Sequence, residues 1–385
     1  MAATDLYPLG CAWRDIAGEV NPASPIQLVE FLYNKRKFPL PPITGSLKAV
    51  KARRRDEKPT SEASLDWLWR HAKKPENKLL LRTLLDLRKT TKLAQFLEKM
   101  PEFVHDGVLY ASYGPDTGTG RLASRNPNLQ NIPSVDKYGL RSCFVAPPGH
   151  KLLVADYAAL EPRVLAHYLI KLFGDTTLRD AIETGDLYSA IAMKTWPDKL
   201  AGIRVEDIKE HPNPEIKVLR GQAKAILLGT NYGKTVGGLA VQLGLSQDEA
   251  QTLYDDYFRA WPGIKAFQTW AYNEFKQGRL RTLLGRTRKF PRGTTDGEKA
   301  RAARQATNTV IQGSAADIVF AAMLRQDGVP GTLQMQIHDE LVWRLDDSAD
   351  PATLVECMEH PFAGINLEVP LTVSWKLCNN WGEAK

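Results

Sequence analysis

The sequence predicts an α+β fold with a mostly helical beginning, a sheet built from two distant segments, and a helical insertion between those segments. Two long helical patterns, at residues 61–73 and 77–99, come early in the chain. An apolar strand-like run at Lys151–Tyr157 is followed roughly 170 residues later by two more, at 332–337 and 341–345. The residues between these segments show helical patterns broken by Gly and Pro. This arrangement is typical of an α+β architecture.

Capping and turn residues mark individual elements in chain order. Ser24 followed by Pro25 predicts a helix start, because Ser accepts hydrogen bonds from the first backbone amides and Pro is favoured at the first helical position. Periodicity and turn residues predict three more elements: a strand within Val108–Tyr113, a hairpin at 280–290 with Gly285 at its turn, and a helix from about Glu298 to Leu324.

Composition limits the classes of function that fit. The 385 residues are 43% hydrophobic and 25% charged, which is ordinary for a soluble globular protein. No apolar run approaches the roughly 18 residues that a membrane span needs, and no secretory signal is visible, so we expect a cytoplasmic protein with no membrane partner. The four cysteines form no CxxC pair, which predicts no zinc site. The net charge of +7 favours a polyanionic partner.

Two carboxylate positions fall at the ends of predicted strands. Asp156 ends the first apolar run, and Asp339 with Glu340 lies between the two later runs. Carboxylate oxygens at such positions can bind a hard cation. Neighbouring strands would then hold paired Mg²⁺ ions, about 3.5–4 Å apart, for a phosphoryl transfer. Taken singly, each aspartate is more typical of a turn or a helix cap. The interpretation of the pair as a metal site therefore depends on the sequence between the two positions.

A helical stripe lies between the two carboxylate positions. Arg220, Lys224, Leu228 and Tyr232 recur every four residues, and at about 100° per residue they line one face of a helix. Two cations suit a triphosphate, and an apolar residue with a tyrosine suits a base and sugar. A helix with a basic solvent edge would not explain the two glycines inside the pattern, each of which costs about 1 kcal/mol relative to Ala.

These segments resemble the signature motifs of family A DNA polymerases, the bacterial polymerase I and phage replicase group. Residues 156–167 resemble the first motif, 220–233 the second and 336–342 the third. Four more segments resemble the primer–template contact region, the helix before the third motif, the thumb helix and the C-terminus: 117–133, 304–317, 87–93 and 369–381. The resemblance extends from about residue 20 to the end, and it implies template-directed DNA synthesis in a bacterial or phage-infected cell.

The resemblance also implies residue roles. Asp156 and Asp339 would bind two Mg²⁺ ions, for which Mn²⁺ is an expected substitute, with the Tyr157 carbonyl as a further ligand. Lys224 would act with them in catalysis, and Glu161 would exclude a ribose 2′-OH. The implied dNTP-binding residues are Arg220, Lys224, Leu228, Tyr232, Glu161 and His338. The implied DNA-binding residues are Arg88, Lys92, Arg121, Asn128, Gln130, Asn131, Arg304, Asn308, Gln312 and Glu340.

The implied architecture is a right hand. The thumb would be residues 1–105, the palm 106–170 and 300–385, and the fingers 171–299. Primer–template DNA and dNTPs would be the partners, together with accessory replication proteins or a separate exonuclease. In the family an editing exonuclease usually precedes the thumb. The thumb range given above begins with a lead-in of fewer than about twenty residues, so we expect no proofreading domain in this sequence.

Departures from the family pattern point to a divergent, phage-encoded enzyme. Leu228 stands where the family usually has Phe or Tyr, and Ala158-Ala159 replaces a Ser-Gln or Ser-Gly pair. A single-subunit RNA polymerase is the first alternative, and Glu161 argues against it. A catalytically dead nucleic-acid-binding scaffold is the second, and the retained Asp156 and Asp339 argue against it.

Overall fold

A computed structural model describes residues 2–42, 60–115, 117–133, 139–231, 234–325, 329–362 and 366–384. These residues form two compact units. Unit 1 contains residues 1–109, 221–230 and 234–260, and unit 2 contains 110–220, 231–233 and 261–385. Helices and antiparallel strands are mixed, which confirms the predicted α+β class. In the part of the chain that the structure describes, no helix is both long and apolar enough to cross a bilayer.

The α-helices, in chain order among the described residues, are α1 (Ala2–Ala17), α2 (Pro25–Val29), α3 (Glu62–His71), α4 (Pro75–Lys99), α5 (Leu160–Phe173), α6 (Thr177–Glu183), α7 (Leu187–Thr195), α8 (Val205–Ile208), α9 (Pro214–Asn231), α10 (Val236–Leu243), α11 (Gln247–Ala260), α12 (Pro262–Lys276), α13 (Asp296–Leu324) and α14 (Ala352–Glu359). The strands are β1 (Val104–His105), β2 (Val108–Leu109), β3 (Ser112–Gly114), β4 (Ala123–Arg125), β5 (His150–Tyr157), β6 (Thr332–Ile337), β7 (Glu340–Asp346) and β8 (Val373–Cys378).

Unit 1 is a helical assembly around one apolar core. Its helices contribute fully buried side chains such as Leu28, Leu65 and Leu84. The predicted start of α2 is confirmed, because the Ser24 side chain accepts a hydrogen bond from a backbone amide of the first turn and Pro25 is the first helical residue. A π-helix, Glu30–Lys35, continues directly from α2.

Unit 2 is organised around a four-stranded antiparallel sheet in the order β6-β7-β5-β8. Strand β5 is central, and its buried run forms because both of its edges are paired and one face packs on α13. Leu153, Trp343 and Ile318 meet in that core. Helix α13 starts with a reciprocal capping box, in which Thr295 and Glu298 satisfy each other's backbone amides.

Three sequence expectations differ from the structure. The predicted hairpin at 280–290 is wrong: Gly285 does lie in a turn, but neither side of it is a strand. The alternating run at 108–113 is split, because β2 pairs with β1 and β3 pairs with β4. Helix α1 was not predicted at all.

Candidate active site

The two predicted metal-binding aspartates lie on neighbouring strand ends in unit 2. Asp156 is the penultimate residue of β5, and its Cα pairs with that of Glu340, the first residue of β7. Asp339 occupies the tight turn between β6 and β7, directly before Glu340. The Tyr157 amide donates a hydrogen bond to the Asp339 carbonyl over 3.3 Å. Antiparallel pairing therefore brings the backbones of two aspartates that are far apart in the sequence next to each other.

Left-handed backbone occurs three residues after Asp156 and one residue before Asp339. Ala159 has φ 54° and His338 has φ 58°, in a region that residues other than Gly, Asn and Asp rarely occupy. Arg163 holds the first of these turns, because its Nε donates to the Ala158 carbonyl over 2.8 Å and its Nη2 to Thr372 Oγ1 over 2.6 Å. The hydrogen bonds of Arg163 thus fix the turn that follows β5.

Arg121 links two of the predicted site carboxylates. Its Nη2 donates to Glu161 Oε1 and lies 3.4 Å from Asp339 Oδ1. Glu161 is a buried carboxylate, and Arg121 supplies the positive charge that such a group needs. Burial raises the pKa of Asp339, and the charges of Arg121 and His338 oppose that rise. The Arg121 guanidinium therefore favours the ionised form of Asp339.

The donor set fits Mg²⁺. Among the residues that the structure describes, no cluster of three or more His, Cys, Asp or Glu side chains could hold a metal ion. Two carboxylates and a backbone carbonyl are nevertheless a typical protein contribution to a Mg²⁺ site, since this ion usually keeps water and substrate phosphate among its six ligands. Asp156, Asp339 and the Tyr157 carbonyl meet that requirement.

Arg220 is held by a carboxylate that sequence reasoning missed. Its Nε and Nη2 donate to the two oxygens of Asp186 over 2.8 and 2.9 Å. Asp186 also caps α7 and accepts a hydrogen bond from Ser189 Oγ over 2.6 Å. Although burial alone would raise it, these hydrogen bonds hold the pKa of Asp186 below its usual value. The Tyr188 ring centroid lies 5.5 Å from the Arg220 guanidinium.

Helix α9 carries the rest of the predicted nucleotide stripe. Lys224 is exposed and Leu228 is half-buried, one and two helical turns after Arg220. Tyr232 lies outside the described residues. The helical geometry is therefore as predicted between Arg220 and Leu228.

Most predicted DNA-binding residues lie at least partly at the surface. Gln130 Nε2 donates to Gln336 Oε1 over 2.8 Å, and this pair ties the segment after β4 to strand β6. The Oδ1 atoms of Asn128 and Asn308 are buried and have no hydrogen-bond partner among the described residues. The exposed members are Lys92 and Asn131, and the half-buried ones are Arg88, Arg121, Asn128, Gln130, Arg304, Asn308 and Gln312.

Two predicted DNA-binding residues are engaged inside their own units. Arg88 donates to the Pro22 carbonyl over 2.8 Å and to the Thr60 carbonyl over 2.5 Å. Glu340 is 3% exposed and accepts a hydrogen bond from Trp381 Nε1 over 2.8 Å. Both side chains therefore contribute to packing, and their contact with DNA stays a prediction.

Comparisons with known proteins agree on one family. The family model described as DNA polymerase family A matches residues 5–383. DNA polymerase I B, chloroplastic/mitochondrial, from Arabidopsis thaliana is 35% identical over an alignment 308 positions long, and this alignment covers 73% of this chain and 29% of that protein. DNA polymerase I from Pseudomonas aeruginosa is 33% identical over an alignment 387 positions long, and this alignment covers 96% of this chain and 39% of that protein.

A solved structure shows the same fold over the whole chain. The POL domain of Pol1 from M. smegmatis, in complex with DNA primer-template and dNTP, matches with a TM-score of 0.82 and 28% identity, covering 100% of this chain and 65% of that one. The chain thus spans less than half the length of the curated relatives named above.

Proposed function

Because the chain belongs to DNA polymerase family A, we propose that it catalyses template-directed DNA synthesis, adding dNTPs to a primer 3′-OH with release of pyrophosphate. The observation that carries the proposal is the meeting of Asp156 and Asp339, joined through the hydrogen bond from the Tyr157 amide to the Asp339 carbonyl. The similar mycobacterial domain was solved with primer-template and dNTP, which supports the same two partners for this chain.

Asp156, Asp339 and the Tyr157 carbonyl would hold two Mg²⁺ ions, which Mn²⁺ could replace. When bound, the ions would supply charge stabilisation to the attacking and leaving oxygens of the displacement. The protein contributes a fixed carboxylate pair, because the turn at Ala159 is clamped by Arg163 and the other aspartate sits in a two-residue hairpin turn. Catalysis would then rest on positioning and charge rather than on a covalent intermediate.

The cationic residues would bind the nucleotide and the primer end. Arg220, pre-oriented by Asp186, and Lys224 would hold the triphosphate, since guanidinium and ammonium donors pair strongly with phosphate oxygens. Glu161 would crowd a ribose 2′-OH, and Arg121, which pairs with it, would contact the primer terminus. In this assignment the sheet of β5 to β8 belongs to the palm.

Primer extension by three variants tests the proposal. Asp156→Asn and Asp339→Asn should each lower the extension rate by about 10³-fold or more, because several kcal/mol of charge stabilisation is lost. Asp346→Asn is the matched control, since Asp346 is an exposed carboxylate at the other end of β7. Primer–template affinity should stay within about threefold for all three, because backbone phosphates are held by Lys and Arg. Near-normal extension by either site variant would refute the carboxylate assignment.

A further inference from the structure

The guanidinium of Arg286 contacts three separate parts of unit 2. Its Nε lies 3.1 Å from Asp317 Oδ1, and its Nη1 and Nη2 donate to the carbonyls of Thr119 and Gly313, each over 2.9 Å. Asp317 and Gly313 are on α13, whereas Thr119 lies in the loop between β3 and β4. A single side chain thus joins the loop that precedes Arg121 to the helix that carries Gln312.

The turn that carries Arg286 is itself fixed to α13. The Leu283 amide donates to Ser314 Oγ over 2.9 Å, and the Leu284 amide donates to the second oxygen of Asp317 over 3.2 Å. Asp317 is 5% exposed, so its carboxylate needs the Arg286 charge. The backbone that carries Arg286 is therefore held in place on α13, and the Asp317 pair orients its guanidinium toward the Thr119 carbonyl.

Two glycines leave room for this approach. A Cβ built on Gly120, whose φ is 83°, would lie 2.1 Å from Arg286 Nη1. A Cβ on Gly313 would lie 2.6 Å from Thr282 Cγ2 and 3.4 Å from Arg286 Nη2. Because the Asp317 pair restrains the guanidinium, a side chain at position 120 would separate it from the Thr119 carbonyl.

We propose that Arg286 is a positioning residue, which holds the 117–121 loop so that Arg121 reaches Glu161 and Asp339. This inference rests on the proposed polymerase function. Within the loop, Thr117 Oγ1 donates a hydrogen bond to the Arg121 carbonyl over 2.8 Å. From outside the loop, Arg286 donates to the carbonyl of Thr119, two residues before Arg121. Without it the Arg121 guanidinium loses its fixed position between the two carboxylates.

Single-nucleotide insertion with primer–template DNA, dNTP and Mg²⁺ tests the inference. Arg286→Lys keeps the charge but cannot span three acceptors, so kcat should fall about tenfold or more while the KM for dNTP changes little. Arg281→Lys is the matched control, because Arg281 is exposed and belongs to the same turn. Its one hydrogen bond among the described residues is to the Gly285 carbonyl, over 3.2 Å. All rates are measured at a temperature below the onset of unfolding of each variant, which is determined by circular dichroism.

A double-mutant cycle with Arg121→Ala separates positioning from general stability. If Arg286 acts through Arg121, the double variant loses much less than the product of the two single losses. A loss equal to that product, or an Arg286→Lys rate equal to that of Arg281→Lys, would overturn the inference while leaving the proposed function intact. An inactive wild type would overturn both. If Arg286→Lys does not fold, Gly120→Ala is used in its place, and the double-mutant cycle with Arg121→Ala is judged by the same criterion.

Discussion

Replacing Glu340 with Ala is expected to destabilise unit 2 by about 3–5 kcal/mol, the usual cost of breaking a buried ion pair by removing one partner. Glu340 Oε1 lies 3.5 Å from Arg141 Nη1, with side-chain exposures of 4% and 8%. The Arg141 guanidinium also lies 3.9 Å from the centre of the Trp381 ring, whose indole nitrogen donates to the same carboxylate. Removing the carboxylate therefore leaves a buried cation and a buried indole N–H without their shared acceptor.

Differential scanning calorimetry should show the effect as a large fall in the unfolding temperature. For a unit of this size, each kcal/mol corresponds to about 2–4 °C, so Glu340→Ala should lower the midpoint by about 6–20 °C. Glu340→Gln keeps an acceptor for Trp381 and loses only the charge, so its fall should be smaller, about 1–3 kcal/mol. Asp346→Asn, on the exposed end of the same strand, should change stability by less than about 0.5 kcal/mol.

A midpoint for Glu340→Ala within 2 °C of the wild type, on that scale of about 2–4 °C per kcal/mol, would refute the reasoning. Primer–template affinity separates packing from the DNA contact that the sequence predicts for this residue. If Glu340 serves packing, Glu340→Gln binds primer–template as the wild type does. Weakened DNA binding at an unchanged midpoint would instead favour the predicted contact.

Three further outcomes are expected. Glu161→Ala should lower the ratio of dNTP to rNTP incorporation, and an unchanged ratio would favour the RNA polymerase alternative. Leu228→Tyr should raise acceptance of dideoxynucleotides relative to dNTPs in single-nucleotide insertion, because family members with Tyr there generally accept them; an unchanged ratio would place Leu228 away from the sugar. Burial chiefly, with Lys171, lowers the pKa of His167, whose Nδ1 accepts from the Glu368 amide over 3.1 Å. Because the unfolded chain then binds that proton more readily, this contribution to stability is present above about pH 6.5 and lost below it. The unfolding temperature should fall when the pH is lowered from 7.5 to about 5, and it should fall less in His167→Gln. An equal fall of the unfolding temperature in the wild type and in His167→Gln would refute this.

Local patterns predicted those parts of the fold and site that depend on neighbouring residues. Helix α2 starts at Pro25 because capping chemistry is local, and the hairpin at Asp339 follows from two apolar runs around a short polar turn. The strand end at Asp156 is equally local, since the buried run stops there. To predict that these strand ends lie side by side, the only further assumption needed was that the apolar strands join one sheet.

Contacts between distant side chains could not be predicted in this way. Asp186 follows a Gly and precedes a helix, which indicates a cap, but nothing nearby in the sequence indicates its bidentate pair with Arg220. Arg286 was placed in a hairpin because basic and β-prone residues surround Gly285. The backbone amides of this turn instead donate to side chains of α13, and the flanking residues do not pair as strands. Tertiary hydrogen bonds outweighed local strand propensity there.

Strand β5 has consequences for how the protein is made, because both of its sheet neighbours follow it only after a long stretch of sequence. Strands β7 and β8 follow it by roughly 180 and 215 residues, which a ribosome adding about 5–20 residues per second needs about 10–40 s to make. Until then β5, which carries the apolar run Leu152–Ala155, has two open edges, the feature that invites pairing between chains. We therefore expect the sheet to assemble only after β8 has been synthesised, and nascent chains stalled before Glu340 to depend on chaperones. The two aspartates would then meet late in the folding of unit 2.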